Sequence, residues 1–272
     1  MEMTRQEEFA QSALRECPTW FHSIELAPGV VTPGRKSADT LQRELHSIQL
    51  PNLLGKSVLD IGAYDGFFSF AAERLGGARV VALDHYIWSA DMVAYTKEWE
   101  ESRRTGKALP PPHLSTHWHP ESLPGRRPFD LAHQALRSKV EPVVGDFMTT
   151  ETDMLGQFDV VLFLGVLYHM EEPLTTLRRL ASFTAPGGLA VIETAAVDVP
   201  MLRDSAFFEF YPGSELNNDP SNWWSPNAKA LEGLCRAAGF RQVNLLTKRP
   251  TLSLRTILQR TTRYRAIAHA WM

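Results

Sequence analysis

Three aspartates stand where three short apolar runs end. Asp60 lies in Val58-Leu59-Asp60-Ile61, Asp84 closes Arg79-Val80-Val81-Ala82-Leu83-Asp84, and Asp146 follows Val143-Val144-Gly145. A carboxylate at the carboxyl end of a buried strand can accept hydrogen bonds from a ligand lying over the sheet edge. Beyond Asp60 the chain breaks at Gly62, passes Tyr64 and Gly66, and continues as the helical pattern Phe67 to Leu75. Strand, glycine turn and helix together present backbone N–H groups and a helix N-terminus. Gly62 permits a tight turn, and Gly66 lets a ligand approach backbone without meeting a Cβ. A dinucleotide turn wants G-x-G-x-x-G for its pyrophosphate. Here the spacing is D-x-G-x-x-x-G, with Tyr64 where the second glycine belongs. Asp60 would repel a pyrophosphate and suit a cation. The pattern favours S-adenosylmethionine (SAM), which carries an ammonium and a sulfonium and no phosphate, over a nicotinamide dinucleotide. Asp84, about twenty residues past the turn, suits a ribose diol, and Asp146 suits the adenine amino group.

A second group of reactive side chains follows the run Val160 to Leu164, whose continuous apolar character predicts a strand buried on both faces. Gly165-Val166-Leu167-Tyr168-His169 comes directly after it. His169 reads as a general base or as an imidazole that fixes its loop through backbone hydrogen bonds. Tyr168 reads as orienting a substrate or covering the cofactor. Glu193, ending Leu189 to Thr194, reads as a holder of a substrate amine or hydroxyl, or as a solvated strand-end acid. Arg35 and Lys36 are exposed cations or contacts for an anionic group. Trp223, Trp224 and Phe207 to Tyr211 read as packed aromatics or as a substrate platform. His113, His117 and His119 form H-x-x-x-H-x-H near Glu121. With no second cluster to fix them, they are expected in a solvated loop, and no metal is expected.

The elements that must position these residues alternate strand and helix, which predicts an α/β fold. Before the core come a helix over 4–16, a strand over Trp20 to Leu26, a loop over Thr32 to Lys36 and a helix from Thr40 to Ile48. We read 1–50 as an N-terminal cap and 51–272 as the main domain, with an inserted lid at about 104–139. Ala185 to Gly188 reads as a turn, 195–222 as a long loop, Ser225-Pro226 as the cap of the next helix and Tyr264 to Trp271 as a strand. The 272 residues are 44% hydrophobic, enough for one large domain. A net charge of −3 gives no global basic field for nucleic acid. Two cysteines far apart, Cys17 and Cys235, suit a reducing cytoplasm. The N-terminus lacks the apolar core of a signal peptide, and no run is long enough to span a membrane.

The stretches Val58 to Gly66, Gly165 to His169, the Pro-Gly-Gly turn, the Glu193-Thr194 strand end and Ala237-Ala238-Gly239-Phe240 carry a resemblance. Over roughly Leu54 to Phe240 the sequence resembles class I SAM-dependent methyltransferases, and most of all the tRNA wobble-uridine carboxymethyltransferase group with its G-V-L-Y-H signature. The resemblance implies a Rossmann-like seven-strand sheet with helices on both faces and its last strand reversed. It places Asp60 and Gly62 at the methionine end, Asp84 at the ribose and Asp146 at the adenine, with Tyr64, Gly66 and Gly165 as further cofactor contacts. In the tRNA enzymes the carboxylate of a carboxylated SAM meets a lysine before the core, a tyrosine and an arginine. Here those positions imply Arg35 or Lys36, then Tyr168, then Arg265. The expected function is SAM-dependent methyl transfer to a small molecule, such as a hydroxyl of a sugar or secondary metabolite. One alternative is a tRNA wobble-uridine alkyltransferase using SAM or carboxy-SAM. Another is a non-catalytic SAM-binding protein that assembles with a partner.

Overall fold

The computed structural model describes residues 4–107, 109–251 and 261–272. Seven strands carry the α/β fold: β1 (Ser57–Ile61), β2 (Arg79–Asp84), β3 (Glu141–Val144), β4 (Phe158–Leu164), β5 (Thr184–Asp198), β6 (Gln242–Leu245) and β7 (Thr262–Trp271). The order across the sheet is β6-β7-β5-β4-β1-β2-β3. The pairs β1–β2, β2–β3 and β4–β5 are parallel. The last strand, β7, runs antiparallel to both β5 and β6, as the resemblance implied. The chain divides into two compact units, Met1–Thr149 and Thr150–Met272.

In the first unit, helix α1 (Arg5–Glu16) opens with a capping box. Thr4 Oγ1 accepts the Glu7 amide and the Glu7 side chain accepts the Thr4 amide. The expected strand from Trp20 to Leu26 is two short strands, Trp20–His22 and Glu25–Ala27. Thr32 explains the break: its hydroxyl accepts from the Ile24 amide at 2.8 Å and donates to the His22 carbonyl at 2.7 Å. A side chain therefore satisfies backbone groups that a ladder would otherwise take. The expected loop at Thr32 to Lys36 contains a strand, Gly34–Lys36, paired in parallel with Trp20–His22. Helices α2 (Ala38–Ser47), α3 (Phe67–Arg74), α4 (Met92–Thr105) and α5 (Arg127–Leu136) follow. Asp91 caps α4 through the Val93 and Ala94 amides, and Gly106 closes it in the left-handed conformation. The segment read as an insertion packs on α3, with Phe129 fully buried and its ring 5.3 Å from that of Phe70.

In the second unit, β4 is buried along nearly its whole length. Helix α6 (Pro173–Phe183) starts with proline at its first turn and buries Leu177, Leu180 and Phe183, while Leu174 stays partly exposed. The expected turn at Ala185 to Gly188 is absorbed into β5, which continues to Asp198. The register against β4 shifts between Phe158 and Val160, so the extra residues are taken up as a bulge. The long loop expected over 195–222 contains a further strand, Phe208–Phe210, paired with Trp224–Pro226. Ser225 and Pro226 thus lie in a ribbon. The cap of α7 (Ala228–Ala237) is Asn227, whose side chain accepts the Ala230 amide at 2.8 Å.

Candidate functional site

The first unit holds the acids and glycines singled out above. Asp60 is buried, and its Oδ2 accepts the Ser69 hydroxyl at 2.5 Å. Asp84 is buried as well, with its two oxygens accepting the Tyr64 amide at 2.9 Å and the Ile87 amide at 3.0 Å. Loss of solvent pushes each carboxyl up from its ordinary value to about 6, against these hydrogen bonds. Among the described residues no lysine or arginine forms an ion pair with either. Two buried carboxylates without a counterion are costly, and a cationic ligand would relieve that cost. This is the fit expected for a sulfonium and ammonium compound.

The loop between them is tightly held. Gly62 turns with φ at 76° and donates its amide to the Leu83 carbonyl at 2.8 Å. Tyr64 adopts φ of 56°, uncommon for a residue with a Cβ. Its amide is taken by Asp84, its carbonyl accepts the Trp88 indole at 2.6 Å, and its ring stacks on Phe21 at 4.5 Å. At Gly66 it is the core, and not an approaching ligand, that excludes a side chain. A Cβ there would lie 2.5 Å from the Phe70 ring and 2.8 Å from Phe129, so close aromatic packing demands the glycine. Asp146 is exposed, and its carboxylate accepts the Met148 amide.

Sequence reasoning missed Asp65 and His22. Asp65 is fully buried in the glycine loop and accepts the Phe21 amide at 2.9 Å, the His22 amide at 2.8 Å and His22 Nδ1. It fastens the Trp20–His22 strand to the loop. Nothing in the local spacing around Asp65 points to a partner 43 residues away. The two candidate cations separate. Lys36 is spent on Glu44 at 2.8 Å. Arg35 lies over the Trp99 ring at 5.5 Å and lines a cavity of about 200 Å³ with Trp20, Phe21, Tyr64 and Thr96. The histidine series is partnered elsewhere, His117 with Glu98 at 2.6 Å and His113 with the Tyr86 hydroxyl at 3.3 Å. Among the described residues no cluster of three metal-ligating side chains forms.

The second unit gathers the remaining candidates at the end of β4. Gly165, at φ of 75°, opens onto three of them. A Cβ there would stand 3.4 Å from the Tyr168 hydroxyl, 3.7 Å from the Arg265 guanidinium and 3.9 Å from the Glu193 carboxylate. Arg265 binds both Glu193 oxygens through Nε and Nη2, and its guanidinium sits 4.8 Å over the Tyr168 ring. The register explains the meeting: Arg265 faces Ala195 and Ile267 faces Glu193, so the pair is a diagonal neighbour on one sheet face. Burial raises the Tyr168 hydroxyl above its ordinary value, with the Arg265 charge opposing. His169 is half-buried, and burial holds its imidazole below the ordinary value. Its Nδ1 lies 3.0 Å from the Ser221 carbonyl and 2.9 Å from the Ser221 hydroxyl, which donates to Asp219 at 2.6 Å. Trp223 reaches this region through its backbone, its amide donating to the Tyr168 carbonyl at 2.8 Å.

Residues 34–245 match the family described as a methyltransferase domain. The chain belongs to this family. Within the family, a tRNA U34 carboxymethyltransferase of Campylobacter curvus is 24% identical over 200 residues, 74% of this chain and 53% of that protein. The enzyme of the same name from Methylococcus capsulatus is 24% identical over 242 residues, 89% of this chain and 61% of that protein. The chain therefore spans less than two thirds of these relatives' length. Among solved structures, the N-terminal domain of EvdMO1 with SAH bound superposes with a TM-score of 0.58 at 18% identity, covering 99% of this chain and 98% of that one. At that identity the likeness is one of fold, and it agrees with the Rossmann-like sheet described above. Among the described residues no helix is long and apolar enough to cross a membrane.

Proposed function

We propose that the protein transfers a methyl group from SAM to a hydroxyl of a small molecule such as a sugar. The observation that carries the choice of plain SAM is the pairing of Arg265 with Glu193. A carboxylate on the transferred group would meet a guanidinium already neutralised by a carboxylate of the chain, so it would enter the cleft without a partner. SAM supplies an activated methyl and a thioether leaving group. The protein's own part is alignment and proton removal. Asp60 and Asp84 would hold the ammonium and the ribose, with Gly62, Tyr64 and Gly66 shaping the turn and Asp146 at the adenine. Gly165 is a further proposed cofactor contact, Tyr168 and His169 are proposed catalytic residues, and Arg35 and Trp223 are proposed substrate contacts. The sugar class has support in the EvdMO1 N-terminal domain, which shares this fold and was crystallised in the presence of SAH and D-fucose. A second reading, carboxymethyl transfer to tRNA, is favoured by the Tyr168–Arg265 stack and by the names of the curated relatives.

Calorimetry tests the cofactor. S-adenosylhomocysteine is expected to bind and NAD is not; the reverse result overturns the reading. The pH dependence follows from the two acids. With folded-state values near 6, Asp60 and Asp84 become anionic only above that pH. Attraction for a cationic ligand is therefore full above about pH 7 and lost as pH falls. At pH ~5 each is about one-tenth ionised, so SAM affinity is expected to fall roughly tenfold per carboxylate that must be charged. The ligand-free protein responds oppositely. Between about pH 4 and 6 the folded state binds more protons than the unfolded state, so these acids make stability fall as pH rises. Affinity that stays flat across this window would remove both acids from the ligand's surroundings.

A competition experiment decides between the two readings. SAM is expected to bind at least about tenfold more tightly than carboxy-SAM, roughly 1.4 kcal/mol. Glu193→Gln, which leaves Arg265 with unspent positive charge, is expected to narrow that gap. A wild-type preference for carboxy-SAM that is lost in Arg265→Ala would establish the second reading instead.

A further inference from the structure

The loop that follows β5 brings two polar side chains to His169, and their donor and acceptor roles have one self-consistent assignment. The Ser221 carbonyl oxygen can only accept, so His169 Nδ1, 3.0 Å away, carries a hydrogen and donates it. The Ser221 hydroxyl, 2.9 Å from the same nitrogen, then shares that hydrogen as an acceptor and sends its own proton to Asp219 Oδ1 at 2.6 Å. Asp219 Oδ1 also accepts the Ser221 amide at 2.9 Å, which locks the turn that carries both oxygens. In the neutral imidazole the other nitrogen, Nε2, is left with an unshared electron pair, and no partner for it is found among the described residues. His169 stands on the short helical turn Leu167–His169 directly after β4.

Resting on the methyl-transfer reading, we propose that Nε2 of His169 takes the proton of the acceptor hydroxyl, and that Ser221 and Asp219 are positioning residues that hold the ring in that tautomer. As the acceptor oxygen's electron pair forms the new O–C bond, the C–S pair departs with the thioether and the hydroxyl proton moves to Nε2. The imidazolium so formed keeps its Nδ1–H on Ser221, and the Asp219 carboxylate lies one hydrogen bond beyond. Among the described residues, the ring is faced by the Asp219 anion from the loop, the Arg265 cation from β7, and the Tyr168 ring with its centroid 4.3 Å away. Asp219 favours the imidazolium and Arg265 opposes it. The relay thus gives the base a counter-anion on the side away from Nε2.

The test reads the ring itself and needs no acceptor substrate, so its result is separate from that of cofactor binding. Long-range proton–nitrogen NMR on the full chain with nitrogen-15-labelled histidine reports which ring nitrogen carries hydrogen, with His169→Gln assigning the resonance. The wild type is expected to show Nδ1–H and an unprotonated Nε2, and Ser221→Thr to retain this pattern. Asp219→Asn keeps an acceptor for the turn, so the tautomer should persist while the titration midpoint of His169 falls for want of the anion. Asp219→Ala should give mixed tautomers. Hydrogen on Nε2 in the wild type overturns the proposal. So does an Asp219→Ala spectrum indistinguishable from wild type in a protein of unchanged circular dichroism.

Discussion

Replacement of Asp65 by alanine is expected to remove about 3–5 kcal/mol of stability, the scale for breaking a buried pair of hydrogen-bonded charged or polar partners. The carboxylate is fully buried and, among the described residues, accepts from the Phe21 amide, the His22 amide and His22 Nδ1. Truncation leaves two amides and an imidazole without partners, in a place closed to solvent. The effect is not confined to the N-terminal strand. Phe21 stacks on Tyr64, and Tyr64 holds its left-handed backbone partly through that stack. Asp65→Ala should therefore also weaken S-adenosylhomocysteine binding, while Asp65→Asn, which keeps an acceptor for the backbone amides, should lose less. Urea unfolding followed by fluorescence measures the first effect and calorimetry the second. A stability loss below about 1 kcal/mol, the scale of one ordinary hydrogen bond, would show that the contact does not fasten the loop.

The second large effect is expected at Asp84. Its two oxygens hold the Tyr64 and Ile87 amides, and in the proposed complex they also accept from the ribose. Asp84→Ala removes a charge-assisted contact to the ligand and loosens the turn that shapes its site. Cofactor affinity is expected to fall by about 1–3 kcal/mol, or roughly five- to 150-fold. Asp84→Asn separates the contributions, because the amide oxygen still accepts one backbone donor while the charge is gone. A dissociation constant unchanged in a folded Asp84→Ala protein would place the ligand elsewhere.

Both effects depend on contacts that no local pattern announces. The strand-end acids were legible because burial imposes itself on composition. Val80 to Leu83 and Val160 to Phe163 are apolar because they are buried, and an acid interrupting or closing such a run is visible at once. The glycine turn was legible for the same reason, although its chemistry was misassigned at Gly66. The spacing showed that a glycine was needed, whereas only the packed rings of Phe70 and Phe129 showed what excluded a Cβ. The helices before the core lie within a few residues of their expected spans, and their caps, Thr4 and Ser37, act within one turn of the chain.

The alternation of strand and helix, the acids at the strand ends and the family resemblance at Gly165 to His169 were thus readable from the chain alone. Tertiary structure alone decided which side chains meet. His22 and Asp65 are 43 residues apart, His169 and Ser221 are 52 apart, and Arg265 and Glu193 are 72 apart. Periodicity reports the face on which a side chain lies but carries no information on the register between distant strands. A shift of one residue between β5 and β7 would have turned Arg265 to the opposite face from Glu193. The neutralised arginine, the tautomer of His169 and the clamp on the glycine loop all follow from register and loop closure, which are set by the packing of the whole unit around each of them.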